Sequence, residues 1–222
     1  MDGLLLVDKP AGWTSHDVVA KVRGQLKKET GQKVKVGHSG TLDPFATGLL
    51  VLLVGSYTKK SDEFLKLGKT YEAELKLGHT SSTGDPDGEL TKVSTHQPSE
   101  AEVKKVLNKF VGEINQTPHA FSAIKVDGQR AYKLARAGEK PKLEPRQVII
   151  YSIENVEYNY PKLSFTTSVS SGTYIRSLAE DVGKELGIGA YLTALRRTKV
   201  GQLDVRNAKD LQNISKSAMV LV

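Results

Sequence analysis

Hydrophobic residues recur along this chain with two different spacings, which predict a mixture of strands and helices. The run LLVLLV at 49–54 is apolar at every position and predicts a strand buried on both faces. In TYEAELKLG, the alternate residues Tyr71, Ala73, Leu75 and Leu77 share one face of a second strand. Further strands are predicted at 4–7, at about 147–158 and at 162–170.

Three longer helices are predicted, each with an apolar face. Thr14 or Ser15 can cap the first, and Ser99 with Glu102 forms an S-x-x-E capping box before the second. The third begins at Thr173 and ends near Gly187. Shorter helices are predicted at about 59–67 and at 190–196.

The predicted strands arrive both as neighbouring pairs and between helices, and no internal repeat is present. This order predicts an α+β fold with a mixed, mainly antiparallel central sheet and flanking helices. A chain of 222 residues can bury a core of its own, so we expect a single domain over residues 1–222.

Charge favours a polyanionic partner, since 32 Lys and Arg oppose 25 Asp and Glu, for a net charge of +7. The excess is concentrated between Lys125 and Arg146, where the basic residues are Lys125, Arg130, Lys133, Arg136, Lys140, Lys142 and Arg146, against Asp127, Glu139 and Glu144. Without cysteine, disulfides and thiolate metal sites are excluded, and the histidines are scattered, so no metal is expected. No apolar run approaches the ~20 residues of a membrane span. We expect a cytoplasmic protein.

The loop GHSGTLDPFATG at 37–48 contains one carboxylate, Asp43. Its glycines permit tight turns, and Pro44 biases Asp43 toward an extended conformation. Asp43 would therefore stand in a constrained loop at the start of the buried strand. Such a position is typical of a functional residue, but an aspartate in a Gly-rich loop also commonly forms an Asx turn or a cap. Both interpretations are open on the residues alone.

Two other side chains accompany this carboxylate as candidates. Tyr71 occupies an inward position of its strand and can be either a core aromatic or part of a site. Arg176 lies in the first turn of an apolar helix, the wrong end of the helix dipole for a cation. We therefore expect a nearby anion, and Asp43 is the candidate.

Separated segments of the chain carry a resemblance that covers most of residues 4–201. They are LLLVDKPAGWTSHD, GHSGTLDPFATGLL, KTYEAELKLG, PHAFSAIKVDGQRAYKLARAG, SGTYIRSLAEDVG and GAYLTALRRTKVG. In this order they resemble the TruB family of tRNA pseudouridine synthases. The resemblance implies the pseudouridine synthase fold and a reaction in which uridine is detached from its ribose at N1, rotated while bound and reattached through C5. No cofactor or metal is implied.

The resemblance also implies roles for the candidate residues. Asp43 matches the essential carboxylate, which attacks either C1′ of the sugar or C6 of the base. Arg176 matches the arginine that pairs with it, and Tyr71 matches the tyrosine that stacks on the flipped target base and assists loss of the C5 proton. A base inside a stacked loop cannot expose both C1′ and C5, which agrees with base flipping.

RNA-binding roles follow from the same resemblance. His38 matches the loop imidazole that holds the RNA loop open, and Tyr174 lies in the GTYIRSL segment of the site. Lys9, with Pro10, matches the N-terminal motif, which we interpret as support for the substrate site. The basic insertion at about 118–146 matches the element that closes over the T-loop; its candidate contacts are Lys125, Arg130, Lys133 and Arg136.

Two features depart from the family pattern. Ser39 stands where the family more often has Thr, and we expect no C-terminal PUA domain after residue 201. The expected function is isomerisation of uridine 55 in the TΨC loop of tRNA by a monomer that binds the T-arm. The alternatives are a non-catalytic tRNA-binding or folding module and an N-glycosidic hydrolase, although only one carboxylate is evident where glycosidases usually have two.

Overall fold

A computed structural model describes residues 1–122, 124–126, 128–139 and 141–220 of the chain. The strands are β1 (Gly3–Lys9), β2 (Val36–His38), β3 (Thr47–Val54), β4 (Lys69–Leu77), β5 (His79–Ser81), β6 (Leu90–Lys92), β7 (Gly112–Gln116), β8 (Lys125–Val126), β9 (Gln129–Arg130), β10 (Arg146–Asn159), β11 (Lys162–Val169), β12 (Ala190–Val200), β13 (Leu203–Asp204) and β14 (Lys209–Asp210). The α-helices are α1 (Ser15–Thr30), α2 (Ser61–Leu65), α3 (Glu100–Lys109), α4 (Ala131–Arg136) and α5 (Ile175–Glu185). Short 3-10 helices lie at Gly55–Lys60, Val205–Asn207 and Lys216–Ala218.

The chain divides into two compact units, of which the first comprises Met1–Glu72 and Leu195–Val222. Its strands are ordered β14-β1-β3-β12-β4, with β2 paired to β3 and β13 to β12. The β1–β3 pair is antiparallel, whereas β12 runs parallel to β3 with Arg197 opposite Gly48. This mixed arrangement places β3 in the middle of the unit's sheet.

Strand β3 is covered on both faces, which explains its unbroken apolar sequence. Leu50, Leu52 and Val54 belong to the core cluster that contains the buried face of α1. Leu49, Val51 and Leu53 belong to a second cluster with residues of β1. The rigid strand therefore supports the loop that precedes it.

The second unit is Ala73–Ala194, with strands ordered β12-β4-β11-β10-β7. Strand β10 pairs antiparallel with both β11 and β7. Helix α3 begins with the predicted capping box, in which Ser99 Oγ accepts from the Glu102 amide at 3.3 Å. The Glu102 carboxylate accepts from the Ser99 amide at 2.7 Å. Together, the two units confirm an α+β fold with a mixed, mainly antiparallel sheet.

Most of the predicted elements are confirmed, with boundary changes. Thr14 is the cap of α1, where it forms a capping box with Asp17. The helix predicted at about 59–67 is shorter, because a 3-10 helix, Gly55–Lys60, precedes α2. No helix in the described part of the chain is long and apolar enough to cross a membrane. The single domain over 1–222 stays a prediction.

The helix predicted at 190–196 is wrong, because these residues belong to β12. Ala, Leu and Arg favour helices by intrinsic propensity, which misled the prediction. In the structure, Arg196 pairs with Thr47 of β3, and Thr193 Oγ1 donates to the Glu74 carbonyl of β4 at 3.2 Å. Contacts with strands distant in sequence therefore override the local preference.

Candidate active site

The loop that carries Asp43 connects β2 to β3 and is fastened on both sides of the carboxylate. Before Asp43, the Leu42 amide donates to Ser15 Oγ at 2.9 Å, and that hydroxyl donates to the Leu42 carbonyl at 3.1 Å. After Asp43, the Pro44 carbonyl accepts from the Gly12 amide at 2.8 Å. The partly buried Asp43 thus has both chain neighbours tied to the segment that begins α1.

Lys9 is completely buried at 0% exposure and fixes the same loop. Its ammonium donates to the carbonyls of Pro10 at 2.9 Å, Trp13 at 2.7 Å and Pro44 at 3.2 Å. Burial lowers the pKa of Lys9 to about 8, against the opposing effect of the Asp43 charge, while the Arg197 charge lowers it further. Lys9 therefore fixes the loop through its hydrogen bond to Pro44, and its charge interacts electrostatically with the carboxylate of Asp43.

Arg197 is a site residue that the sequence analysis did not identify. Its side chain is 1% exposed and donates to the carbonyls of Leu49 at 2.8 Å, Gly40 at 3.1 Å and Thr41 at 3.4 Å. Gly48 has a φ of +100°, and a Cβ there would lie 2.3 Å from the Arg197 carbonyl oxygen. Glycine is therefore required where the end of the loop passes Arg197.

A third buried cation, Lys69, accompanies these two. It donates to the carbonyls of Leu65 and Leu67, both at 2.6 Å. Burial lowers the pKa of Lys69 to about 8, and the Arg197 charge adds to the effect. Lys9 and Arg197 thus hold the carboxylate loop through its backbone carbonyls, whereas Lys69 binds carbonyls outside that loop.

His38 and Tyr71 lie in the first unit as well. Burial, followed by the charges of Arg197 and His16, lowers the pKa of His38, so its imidazole is neutral at neutral pH. The buried Nδ1 of His38 has no hydrogen-bond partner among the described residues. Tyr71 is buried at the inward position that the strand pattern predicted.

Arg176 lies in the first turn of α5, buried in the second unit. Its Nη1 donates to Asp85 Oδ2 and to the Thr83 carbonyl, both at 3.1 Å, and its Nη2 donates to the Phe121 carbonyl at 2.7 Å. Asp85 is buried too and accepts from the Asp87 amide at 3.1 Å. Asp85 is therefore an anion of the kind expected beside Arg176. The predicted pairing of Arg176 with Asp43 stays a prediction.

Asp85 was missed because it lies within GHTSSTGDPDGE, a run of turn-forming residues. In such a run, an aspartate is most simply explained by the turn, and its side chain does form turn hydrogen bonds. The unusual position of Arg176 was the only sequence signal for a second anion.

The basic residues predicted to contact RNA are exposed. Lys125 and Arg130 face each other across the β8–β9 hairpin, while Lys133 and Arg136 lie on α4. Asp127 and Lys140, which the charge count included, lie outside the described residues. This part of the insertion therefore presents positive charge to solvent.

Tyr174 is the N-cap residue of α5 and is held through its backbone. Its amide donates to Gln116 Oε1 at 2.8 Å, and its carbonyl accepts from Gln116 Nε2 at 3.0 Å.

Among the described residues, no group of three or more His, Asp or Glu could hold a metal ion.

Two family models match the chain. The N-terminal domain of the TruB family of pseudouridylate synthases matches residues 27–175, and the C-terminal domain of tRNA pseudouridylate synthase B matches residues 176–221.

Curated relatives cover almost the whole chain. It is 44% identical over 219 residues to tRNA pseudouridine synthase B of Aquifex aeolicus (strain VF5), covering 98% of this chain and 75% of the relative. The same identity extends over 214 residues for the protein of that name from Dechloromonas aromatica (strain RCB), covering 96% and 70%.

Solved structures match at lower identity. A Cbf5-Nop10-Gar1 complex contains a chain with a TM-score of 0.70 and 31% identity, and 95% of this chain is covered. An H/ACA RNP bound to a substrate RNA containing 2'-deoxyuridine gives a TM-score of 0.69 at 29% identity, with the same coverage. The present chain spans 53% and 51% of the length of those two chains.

Proposed function

The chain belongs to the TruB family of pseudouridylate synthases, which isomerise uridine to pseudouridine, and we propose that it acts on uridine 55 in the TΨC loop of tRNA with Asp43 as its nucleophile. The observation that carries this proposal is the fixation of Leu42 and Pro44 on either side of Asp43. A reacting group must be held within about 0.5 Å of its productive position, and these contacts provide such support.

Buried positive charge supports an ionised Asp43. Lys9 and Arg197 are buried and donate to carbonyls of its loop, and the charge of Asp43 acts directly on Lys9. Cations close to a carboxylate in a region of low dielectric favour its charged form. An ionised carboxylate is the form that can attack carbon.

The proposed reaction moves the glycosidic bond without consuming another reactant. Asp43 attacks C1′ of the ribose or C6 of the base, the N1–C1′ bond breaks, and the uracil rotates within the site. A C5–C1′ bond then forms, and the bond to Asp43 is released. C5 loses its proton and N1 gains one, so the product is an isomer of the substrate. The two points of attack place the carboxylate on different atoms of the same nucleotide.

Tyr71 and Arg176 keep the roles that the resemblance implies. The aromatic ring of Tyr71 would stack on the flipped base, which offsets part of the cost of unstacking it. Arg176 would orient the Asp43 carboxylate. The contact with Asp85 supports an orienting role, because a buried carboxylate fixes the plane of the guanidinium.

The insertion is proposed to bind the T-arm. Lys125, Arg130, Lys133 and Arg136 are exposed and can reach phosphate groups, which give affinity rather than base specificity. The RNA-binding role of Lys9 stays a prediction; its ammonium is buried against carbonyls. Its proposed contribution is to support the loop of Asp43. We further propose that the protein works as a monomer in the cytoplasm.

A single assay distinguishes this function from its alternatives. The protein is incubated with a tRNA transcript that carries tritium at C5 of uridine, and both the released label and the nucleosides are analysed. Label release with pseudouridine at position 55 is expected, and a transcript with cytidine at that position is the matched control. Binding without release would indicate a non-catalytic module, and free uracil would indicate a hydrolase.

A further inference from the structure

Helix α5 holds the segment that leads into the basic insertion. Ser177 Oγ donates to the Thr117 carbonyl at 2.9 Å, and Arg176 Nη2 donates to the Phe121 carbonyl at 2.7 Å. One turn further along α5, Glu180 Oε1 lies 3.2 Å from His119 Nε2. Arg176 and Glu180 are four residues apart and share a face of the helix. Side chains on that face therefore contact the segment at two residues, Phe121 and His119.

The His119 ring connects these two contacts. The Phe121 amide donates to His119 Nδ1 at 3.2 Å, so this nitrogen carries no proton. The ring proton then lies on Nε2, which donates to Glu180. Hydrogen bonds therefore run from Glu180 to His119 and on to the Phe121 amide, and the carbonyl of the same residue accepts from the guanidinium of Arg176.

The side chains of His119 and Glu180 are closely packed, so they have little room to move. His119 is 7% exposed, while the Glu180 side chain is 39% exposed. Gly84 has a φ of +69°, and a Cβ there would lie 2.8 Å from Glu180 Oε1 and 3.0 Å from His119 Nε2. Gly84 also lies between Thr83 and Asp85, which both accept from Arg176. The imidazole thus stands where the insertion, helix α5 and the loop of Asp85 meet.

We propose that His119, held by Glu180, is a positioning residue for Arg176 and acts by fixing the backbone of Phe121, whose amide it accepts from and whose carbonyl accepts from Arg176. The inference rests on the proposed function, in which Arg176 orients the catalytic carboxylate. His119 belongs to the segment at the base of the proposed T-arm-binding insertion. It therefore connects the element that engages RNA to the orientation of Arg176.

Two substitutions separate the two ring nitrogens. In His119→Asn, the amide oxygen replaces Nδ1 and can still accept from Phe121, but the shorter side chain no longer reaches Glu180. In His119→Gln, the amide nitrogen replaces Nε2 and can still donate to Glu180, but the Phe121 amide is left without its acceptor. The half-exposed Glu180→Gln keeps an acceptor oxygen and serves as a mild third variant.

Single-turnover pseudouridine formation, kcat and KM are measured with the tRNA transcript. For His119→Gln we expect kcat to fall about tenfold with KM unchanged, as for removal of one hydrogen bond that positions the guanidinium. His119→Asn should stay within about threefold of the wild-type kcat, because the acceptor for the Phe121 amide remains. Glu180→Gln should do the same, because residue 180 still offers an oxygen that accepts from His119. A wild-type kcat in His119→Gln, or equally reduced kcat values in His119→Gln and His119→Asn, would overturn the proposal.

Amide hydrogen exchange of the peptide around residues 117–122 gives a readout independent of activity. Exchange should accelerate in His119→Gln and not in His119→Asn, and equal exchange in both would contradict the link to Phe121. If the wild type makes no pseudouridine, the proposed function fails. If the wild type is active and His119→Gln is equally active, only the positioning role fails.

Discussion

The ammonium of Lys9 donates to the carbonyl oxygen of Pro44 at 3.2 Å, directly beside Asp43 in sequence. This hydrogen bond joins a completely buried cation to the loop that carries the proposed nucleophile. The loop is thereby positioned by the strand and turn at the N-terminal end of the chain.

Burial of Lys9 predicts a specific pH dependence of stability. Its pKa is lowered from the ordinary value of 10.5 to about 8 in the folded protein. Between these two pH values, the unfolded chain retains the proton that the folded protein has released, so the free energy of unfolding rises with pH. In Lys9→Met, this contribution is absent. Urea unfolding at a series of pH values should show wild type gaining stability relative to the variant across this window, and parallel curves would refute the assignment.

Lys69 provides a matched control for the functional effect of Lys9. Its pKa is also about 8 because of burial, but the Asp43 charge is not among the causes of that shift. Lys9→Met should therefore lower kcat more than Lys69→Met, measured on the same tRNA transcript. Equal effects of the two substitutions would argue against a specific role of Lys9 at the loop.

Arg197→Lys should loosen the loop of Asp43. The guanidinium reaches the carbonyls of Leu49, Thr41 and Gly40 from three separate nitrogens in one plane, whereas the donors of lysine all lie on a single nitrogen and cannot reproduce that spread. We expect the free energy of unfolding to fall by about 2–4 kcal/mol and kcat to fall at least about tenfold. Arg196→Lys is the control, since Arg196 is more exposed and pairs with Asp8 at 2.6 Å. Similar kcat values for the two variants would show that Arg197 does not position the loop.

Asp85→Asn should slow catalysis through Arg176. The substitution retains the shape of the side chain but removes the charge that faces the guanidinium at 3.1 Å. We expect kcat to fall about tenfold or more while the Kd for tRNA changes little. The exposed Asp87→Asn, two residues away, should leave both quantities unchanged. A Kd that rises in parallel with the fall in kcat would instead place Asp85 in RNA binding.

The insertion should contribute electrostatically to RNA affinity. Replacing Lys133 and Arg136 together with Gln should weaken tRNA binding. The slope of log K against log salt should fall by about 1 for each phosphate that the variant no longer neutralises. Filter binding at several salt concentrations measures this slope. Exposed Lys104 and Lys105 on α3 form a charge-matched control pair. An equal change of slope in the control would show that only net charge matters.

Local patterns predicted much of this fold from sequence. The apolar run of β3 requires cover on both faces, and the capping boxes of α1 and α3 use side chains only three residues apart. These signals depend on neighbours in sequence, so they can be recognised without knowledge of the tertiary structure. The loop of Asp43 was recognised for the same reason, since its glycines and proline mark a constrained turn.

Other features depended on residues far apart in sequence. Arg197 reaches Leu49 across the β12–β3 pairing, and this pairing, which local sequence does not reveal, makes residues 190–196 a strand and not the predicted helix. Asp85 and Arg176 are separated by 91 positions. No periodicity in either segment encodes such a contact, so a carboxylate inside a turn could not be distinguished from one that binds an arginine.

Asp43→Asn tests the proposed nucleophile directly when it is assayed on a tRNA transcript under single-turnover conditions, with tRNA binding measured in parallel. Asparagine is nearly the same size and cannot act as a carboxylate nucleophile. We expect no pseudouridine at position 55, with the Kd for tRNA close to that of wild type. Pseudouridine formation by Asp43→Asn at a rate near that of wild type would show that Asp43 is not the nucleophile.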